Sequence, residues 1–458
     1  MKYVFIAYNC YPFPLAVHLM GEGQEVIIAV ATAKSQLCLP GSGKENETPE
    51  ERRGRFDTYD GLIGTITLSE LFKLLKAVPA EKRGEYFFFF DYSDMYVLAE
   101  RILDMGFKNG LFPTELYYRF EKERELSKKF VKQYYPDVKV ADSFNFTSVQ
   151  DGIKHINESE DIWVLKSNGN IGKTVVPKAK DLKVAKKLLI DTLQKYKKDY
   201  EKGGFLLEKK IQNCLEITPI IVFYNGEPVY SLVEIENKEF GAGNIGAQKG
   251  GNQALSIRTE LDAEINKIAF PDVIYKLAKN HPGMSIYDAG LLYDGKDFYF
   301  TEFCAMRFGW DGIFSEIVMR DDGEPFVNKY FEDVRSGKNP LKNKYGVAVR
   351  LFNYEGNTEE TGTPKEDIPI MFYKTIKNNL FLYMVRMLED QLVSVGGYDL
   401  LGAITGADND LETAVKKTYD RIEKFNCEKL YYRPCFDFLS KDYPTSILNR
   451  LSALEKFI

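Results

Sequence analysis

Two periods alternate along the first hundred residues. MKYVFIAY (1–8) and EVIIAVAT (25–32) are short, nearly unbroken apolar runs, and PLAVHLMGEGQ (14–24) between them has helical spacing. Strand, helix and strand in that order predict the βαβ opening of a parallel sheet. YFFFFDYS (86–93) predicts a further strand, apolar on both faces as in the middle of a parallel sheet, and MYVLAERILDMGFK (95–108) its helix. Residues 1–112 therefore read as one doubly wound domain.

Further on, KERELSKKFVKQYYP (122–136) predicts a helix and DIWVLKS (161–167) a strand. Residues 175–202 predict a strand edge followed by one long helix. GFLLEKKIQ (204–212) is a strand, and EITPIIVFYNGEPVYSLVEIE (216–236) a hairpin turning at Asn225–Gly226. GAGNIGAQKGGNQ (241–253) has no apolar period and predicts a flexible loop. INKIAFPDVIYKLAKN (265–280) predicts one helix, and paired strands flank Asp294–Gly295. After NPLKNK (339–344) a mostly antiparallel section begins. It closes on LETAVKKTYDRIEKF (411–425), amphipathic, with Ala414, Val415, Tyr419 and Ile422 on one face. The fold class is α/β. An N-terminal parallel-sheet domain (1–112) precedes a central region of two α+β subdomains (113–338, the smaller a lid at about 135–207) and a C-terminal mixed or antiparallel β domain (339–458).

Charge narrows the function. A net charge of −6 disfavours broad nucleic-acid binding through phosphate neutralisation. The basic run KKLLIDTLQKYKK (186–198) reads as the wet face of a helix. No apolar stretch reaches the roughly 18 residues of a membrane helix. MKYVFIAYN reads as a first strand and lacks a signal-peptide cleavage site, so a cytoplasmic location is expected. Six scattered cysteines without a CxxC pair point to reduced thiols and away from zinc. Only His18, His155 and His281 exist, with no shared spacing. Any catalysis then rests on carboxylates, Lys, Arg and backbone amides. The polar stretch 39–55 contains GSGK but not the spacing of a P-loop.

One ordered series stands out. Lys166 ends a strand before a loop carrying Gly169 and Gly172, and Lys173 comes next. Such a loop lets backbone amides approach anionic oxygens, and lysine adds point charge. Glu208 ends a strand and Glu216 starts another, where a carboxylate can accept ribose hydroxyls. Asp288 and Glu302 are expected on adjacent strands, able to share a hard cation such as Mg²⁺. Arg307 can hold an outer phosphate.

That series resembles the ATP-grasp superfamily and, within it, the phosphoribosylamine–glycine ligases, over nearly the whole chain. LSKKFVK (126–132) looks like the family's Ser-Lys-x-Phe-x-Lys helix and places Ser127 and Lys128 on it. WVLKSNGNIGKTVV (163–176) is similar to its nucleotide loop, FLLEKKIQNCLEIT (205–218) to its strand–hinge–Glu segment, and TEFCAMRFGWD (301–311) to its metal and phosphate strand. Residues 396–434 resemble its closing segment. The resemblance implies a central ATP-grasp fold that binds ATP with Mg²⁺ (or Mn²⁺). Lys128, Lys166, Gly169, Gly172 and Lys173 would bind the nucleotide, with Glu208, Lys209 and Ile211 beside adenine and Glu216 on ribose. Glu302 and Asp288 would hold the metal, Arg307 would hold the γ-phosphate, and Lys173 would be catalytic with it. It also implies ligation of a small-molecule carboxylate to an amine through an acyl phosphate by a monomer or small homo-oligomer.

Three departures lie mainly on the substrate side. Cys304 replaces the family's metal-binding Asn, with Met306 as an extra residue before the Arg. YNCYPFPLAVH (8–18) replaces the glycine-rich turn, and 234–253 replaces the Asp-His-Lys-Arg and Gly-Pro-Asn-Thr-Gly-Gly-Met-Gly segments. The nucleotide half is thus kept better than the amine half. A ligase joining a different amine and carboxylate fits the same pattern. A degenerate nucleotide-binding or scaffold protein is the non-enzyme alternative.

Overall fold

The computed structural model describes residues 1–8, 12–31, 59–167, 174–179, 181–304, 310–353, 367–395, 400–443 and 446–458. These form two compact units, one of residues 1–118, 217–288 and 304–458, the other of 119–216 and 289–303. The class is mixed α/β, as the sequence predicts.

The larger unit opens with the expected βαβ. Strand Lys2–Ala7, helix Phe13–Gly21 and strand Glu25–Val30 lead into a four-stranded sheet ordered Ile66–Thr67, Glu25–Val30, Lys2–Ala7, Tyr86–Phe90, its described pairings all parallel. Tyr86–Phe90 is fully buried, yet it is an edge strand rather than a central one. The chain covers its outer edge: Phe88 accepts from Leu111 N–H (2.8 Å) and donates to Asn109 O (3.1 Å). That close approach needs Gly110, since a Cβ there would lie 2.6 Å from the Phe88 carbonyl oxygen.

A second, antiparallel sheet in this unit runs Leu380–Leu382, Leu400–Asp408, Tyr345–Asn353, Ile245–Thr259, Glu227–Gly241, Leu215–Tyr224, and then Met284–Asp288. The hairpin at Asn225–Gly226 is as predicted, with both residues at positive φ (49° and 84°). The expected loop at 241–253 is instead the tip and return strand of a long hairpin, Glu227–Gly241 with Ile245–Thr259. Hydrogen bonding takes the place of apolar alternation there. Asn237 Nδ2 donates to Gln253 Oε1 (2.7 Å), and Asn252 Nδ2 to Lys238 O (2.9 Å). The single helix expected over 265–280 is two, Glu264–Ala269 and Asp272–Lys279. Pro271 has no N–H to donate and drives Phe270 out of the helical region, to φ −131° and ψ 76°. The amphipathic helix Leu411–Ile422 buries Leu411, Ala414, Val415, Thr418 and Ile422.

In the smaller unit, strands Ser143–Phe146, Phe205–Lys209 and Trp163–Ser167 form an antiparallel sheet with Phe205–Lys209 in the middle. Its inner face buries Leu165, Phe205 and Leu207 with Val149 and Ile156 of helix Val149–Glu158 and Leu189 and Leu193 of helix Leu182–Lys195. The long helix expected over 175–202 breaks at Tyr196 (φ −110°, ψ 30°) into Leu182–Lys195 and Lys197–Gly203. Helix Arg124–Tyr134 matches the expected span. In the same unit, the hairpin Gly290–Tyr293 with Phe298–Glu302 turns at Asp294–Gly295 as predicted, and Val138–Val140 runs parallel to its second strand. Among the described residues no helix is long and apolar enough to cross a membrane.

Candidate functional site

The site is built by alternation on the three-stranded sheet of the smaller unit. Successive side chains of a strand point to opposite faces. Across the middle strand the pairs are Ser143–Glu208–Val164 and Asn145–Leu206–Lys166 on one face. Phe144–Leu207–Leu165 and Phe146–Phe205–Ser167 occupy the other, which carries the apolar core. Burying the aromatic face therefore fixes Lys166 and Glu208 on the opposite side. Register alone brings these two together from residues 42 apart.

Lys166 Nζ lies 2.6 Å from Glu208 Oε1. Lys128, delivered by helix Arg124–Tyr134, pairs with the other carboxylate oxygen, Oε2. All three side chains are nearly buried, Lys166 at 12% exposure and the other two at 8%. Burial lowers the Lys128 pKa despite its pairing with Glu208. Burial alone would push the Glu208 carboxyl up, but Lys166 and Lys128 together hold it below its ordinary value. Among the described residues these two ammonium groups share one carboxylate, an excess of one positive charge in a partly dry site. Such a site favours an anionic oxygen as its third member.

A pocket of about 320 Å³ lies beside the cluster, lined by Lys128, Arg124, Lys132, Ser143, Asn145 and Leu206 among others. Glu302, the last residue of its strand, stands at 49% exposure with its carboxylate 3.9 Å from the Arg124 guanidinium. Phe303, just beyond, is wedged against Phe120 (5.4 Å between ring centroids) and Phe300 (4.6 Å). These rings hold the strand end in place within the unit.

Several predicted positions lie elsewhere. Asp288 is not on a strand beside Glu302: Met284–Asp288 pairs with Leu215–Tyr224, and Gly290 is the residue opposite Glu302. The Asp288 carboxylate accepts the Cys304 N–H at 2.7 Å. Lys209 turns away from the lysine pair to Asp161 (2.9 Å), whose hydrogen bond raises its pKa. Ile211 accepts the Cys214 thiol through its carbonyl (3.3 Å). Glu216 is exposed at the start of Leu215–Tyr224. Gly169, Gly172, Lys173 and Arg307 lie outside the described residues, as do most of loop 167–173 and the GSGK stretch.

A magnesium ion keeps several waters and takes one or two carboxylates plus phosphate oxygens, so it needs no all-protein cage. Among the described residues no three His, Cys, Asp or Glu side chains gather as a ready-made metal cage. Glu302, half-exposed at a strand end beside the Arg124 guanidinium, fits such a ligand, with phosphate supplying the remaining oxygens. The three histidines are all structural. His18 pairs with Leu380 O (3.0 Å) and His281 with Phe112 O (2.8 Å), and burial lowers both pKa values to about 4. His155 sits between Phe144 and Trp163. A second pocket, about 240 Å³ in the larger unit, has a mostly apolar wall that includes Leu62, Ile63, Leu382 and Val385.

Sequence reasoning missed Arg124, Ser143 and Asn145. The signal for the last two was present: in S-F-N-F (143–146) polar and aromatic residues alternate strictly, the mark of a strand with one wet face.

Neither a family model nor a curated protein matches the chain. Solved structures do. Phosphoribosylamine–glycine ligase from Thermotoga maritima superposes with a TM-score of 0.64 at 16% identity, over 94% of this chain and 99% of that one. The biotin carboxylase domain of Hydrogenobacter thermophilus 2-oxoglutarate carboxylase, solved with MgADP and bicarbonate, gives 0.56 at 14%, over 94% and 91%. Campylobacter jejuni biotin carboxylase gives 0.55 at 14%, over 99% and 96%. The chain has the fold of these enzymes.

Proposed function

We propose that the protein is an ATP-dependent carboxylate–amine ligase that binds a magnesium nucleotide at the Lys128–Glu208–Lys166 cluster. The observation that carries this reading is the excess positive charge of two nearly buried lysines on one carboxylate, beside a cationic pocket and a strand-end Glu302.

In this reading Lys128 and Lys166 bind phosphate oxygens, and Glu208 keeps both ammonium groups aimed into the site. Glu302 holds Mg²⁺, which when bound neutralises developing charge on the phosphates. Arg307 and Lys173 belong on the γ-phosphate. A substrate carboxylate oxygen attacks the γ-phosphorus, and the bond to the β-bridging oxygen breaks, giving an acyl phosphate and ADP. An amine then attacks the acyl carbon, phosphate leaves, and the amine proton passes to solvent. The protein supplies no nucleophile, only positioning, charge and exclusion of water. The histidines, all engaged in structure, are not needed for it.

Glycine and phosphoribosylamine are the first substrate pair to test, given the likeness to the Thermotoga ligase. Cys304 and the altered segments 8–18 and 234–253 favour a different pair equally. The experiment is ADP release from Mg·ATP with glycine plus phosphoribosylamine, run against a panel of other amines and carboxylates. Release requiring both of the first pair assigns the purine-type reaction. Release with another pair assigns a new ligase. A protein that neither turns over nor gains thermal stability from Mg·ATP is the nucleotide-independent scaffold, and the ligase reading falls.

A further inference from the structure

We propose that Arg124 is the counter-ion that competes with metal for Glu302, so that a cation entering at Glu302 releases the Arg124 guanidinium toward the phosphates. This rests on the reading of the site as a magnesium-nucleotide site.

The neighbourhood leaves Arg124 with Glu302. The acids flanking it along the chain are both engaged elsewhere. Glu123 is gripped by Arg119 through two bonds, 2.8 Å and 3.1 Å, and Glu125 pairs with Lys129 at 3.2 Å. Ser127 Oγ donates to the Arg124 carbonyl (2.9 Å) and ties down the first turn of the helix. The guanidinium, 29% exposed, reaches Glu302 at 3.9 Å, and among the described residues it is the cation within ion-pair distance of that carboxylate. Arg124 also lines the pocket it shares with Lys128. It therefore stands between a carboxylate suited to a hard cation and a pocket suited to phosphate.

Charge sets the direction of the coupling. A dication at Glu302 repels a guanidinium on the same carboxylate, so metal and Arg124 oppose each other there. A triphosphate in the pocket offers the guanidinium planar, bidentate acceptors. Metal and nucleotide then favour each other's binding, because each removes the other's obstacle. The contact is long and partly solvated, so the effect is modest. Arg124 acts here as a positioning residue.

The test is ADP binding to the full chain by calorimetry, titrated with Mg²⁺ at fixed ADP and repeated without metal. Arg124→Gln should weaken metal-free ADP binding and shrink the gain in ADP affinity that Mg²⁺ brings, each on the order of twofold to fivefold. Arg124→Lys should restore wild-type behaviour in part. Arg124→Met, which keeps the stem, serves as a second neutral variant should the glutamine variant fold poorly. A Mg²⁺-dependent gain in ADP affinity that is as large in the neutral variants as in wild type overturns the proposal, while wild-type Mg·ADP binding leaves the nucleotide reading standing. Wild-type protein that binds no ADP overturns both.

Discussion

Lys166 and Glu208 meet across adjacent strands at 2.6 Å, and Lys128 takes the second oxygen of the same carboxylate. The cluster is held from both sides. Sheet register supplies Lys166 and Glu208, and an independent helix supplies Lys128. If it is a phosphate site, removing one cation should cost affinity more than stability. Lys166→Ala should weaken ATP and ADP binding by about ten- to a hundredfold, the worth of one charge-assisted hydrogen bond. Calorimetry of Mg·ADP binding checks this. Wild-type affinity in the variant would remove Lys166 from the site.

Removing the anion instead should reverse the ordering. Glu208→Ala leaves two nearly buried ammonium groups with no counter-charge, and breaking a buried ion pair from one side costs about 3 kcal/mol or more. Denaturant titration should show Glu208→Ala less stable than either Lys128→Ala or Lys166→Ala. Pyrophosphate should then stabilise Glu208→Ala more than wild type, since the added anion replaces the lost carboxylate. Equal stabilisation of both proteins would mean that the cluster does not face the anion.

Much of this is legible in the chain, and the losses have physical causes. Lys128, Lys166 and Glu208 are each recognisable from local motifs, yet their meeting depends on strand register, which one segment does not encode. Ser143–Phe146 is readable from its alternation, but four residues are too few for the pattern to stand out. The 241–253 segment misleads because its strand is stabilised by Asn and Gln hydrogen bonds rather than by apolar packing. Asp288 misleads because a one-residue step, at Ala289, separates two strands that the sequence presents as one. Arg124 carries no motif; only the fold brings it to the distant Glu302.

Glu302 is the position where function and stability should separate most cleanly. Half-exposed and paired only loosely, it contributes little to the fold. Glu302→Ala should melt within about a degree or two of wild type, yet lose the extra thermal stabilisation that Mg²⁺ adds to ATP, together with turnover. The decisive comparison is the ATP-induced shift with and without metal. A variant that unfolds in the absence of any ligand would instead mark Glu302 as a structural acid.

A pH dependence belongs to the other unit. Glu316 is buried on helix Trp310–Ile317, and its Oε1 accepts from the hydroxyls of Tyr230 and Tyr330 with no cation alongside among the described residues. Burial pushes its pKa up to about 7, against an ordinary value of 4.5, and the two hydroxyls offset only part of that rise. The folded state then holds a proton that the unfolded chain releases. Its stabilising effect is complete below about pH 4.5 and is lost as pH rises through about 7, on the order of 3 kcal/mol in all. Glu316→Gln cannot ionise and should flatten the fall in stability between pH 4.5 and 7, whatever its absolute cost. Denaturant midpoints for both proteins across that range check the sign. A wild-type curve that rises over this window by as much as the variant's would place the Glu316 pKa at an ordinary value, and the two tyrosine hydroxyls would then be bonding to a carboxylate that is charged throughout.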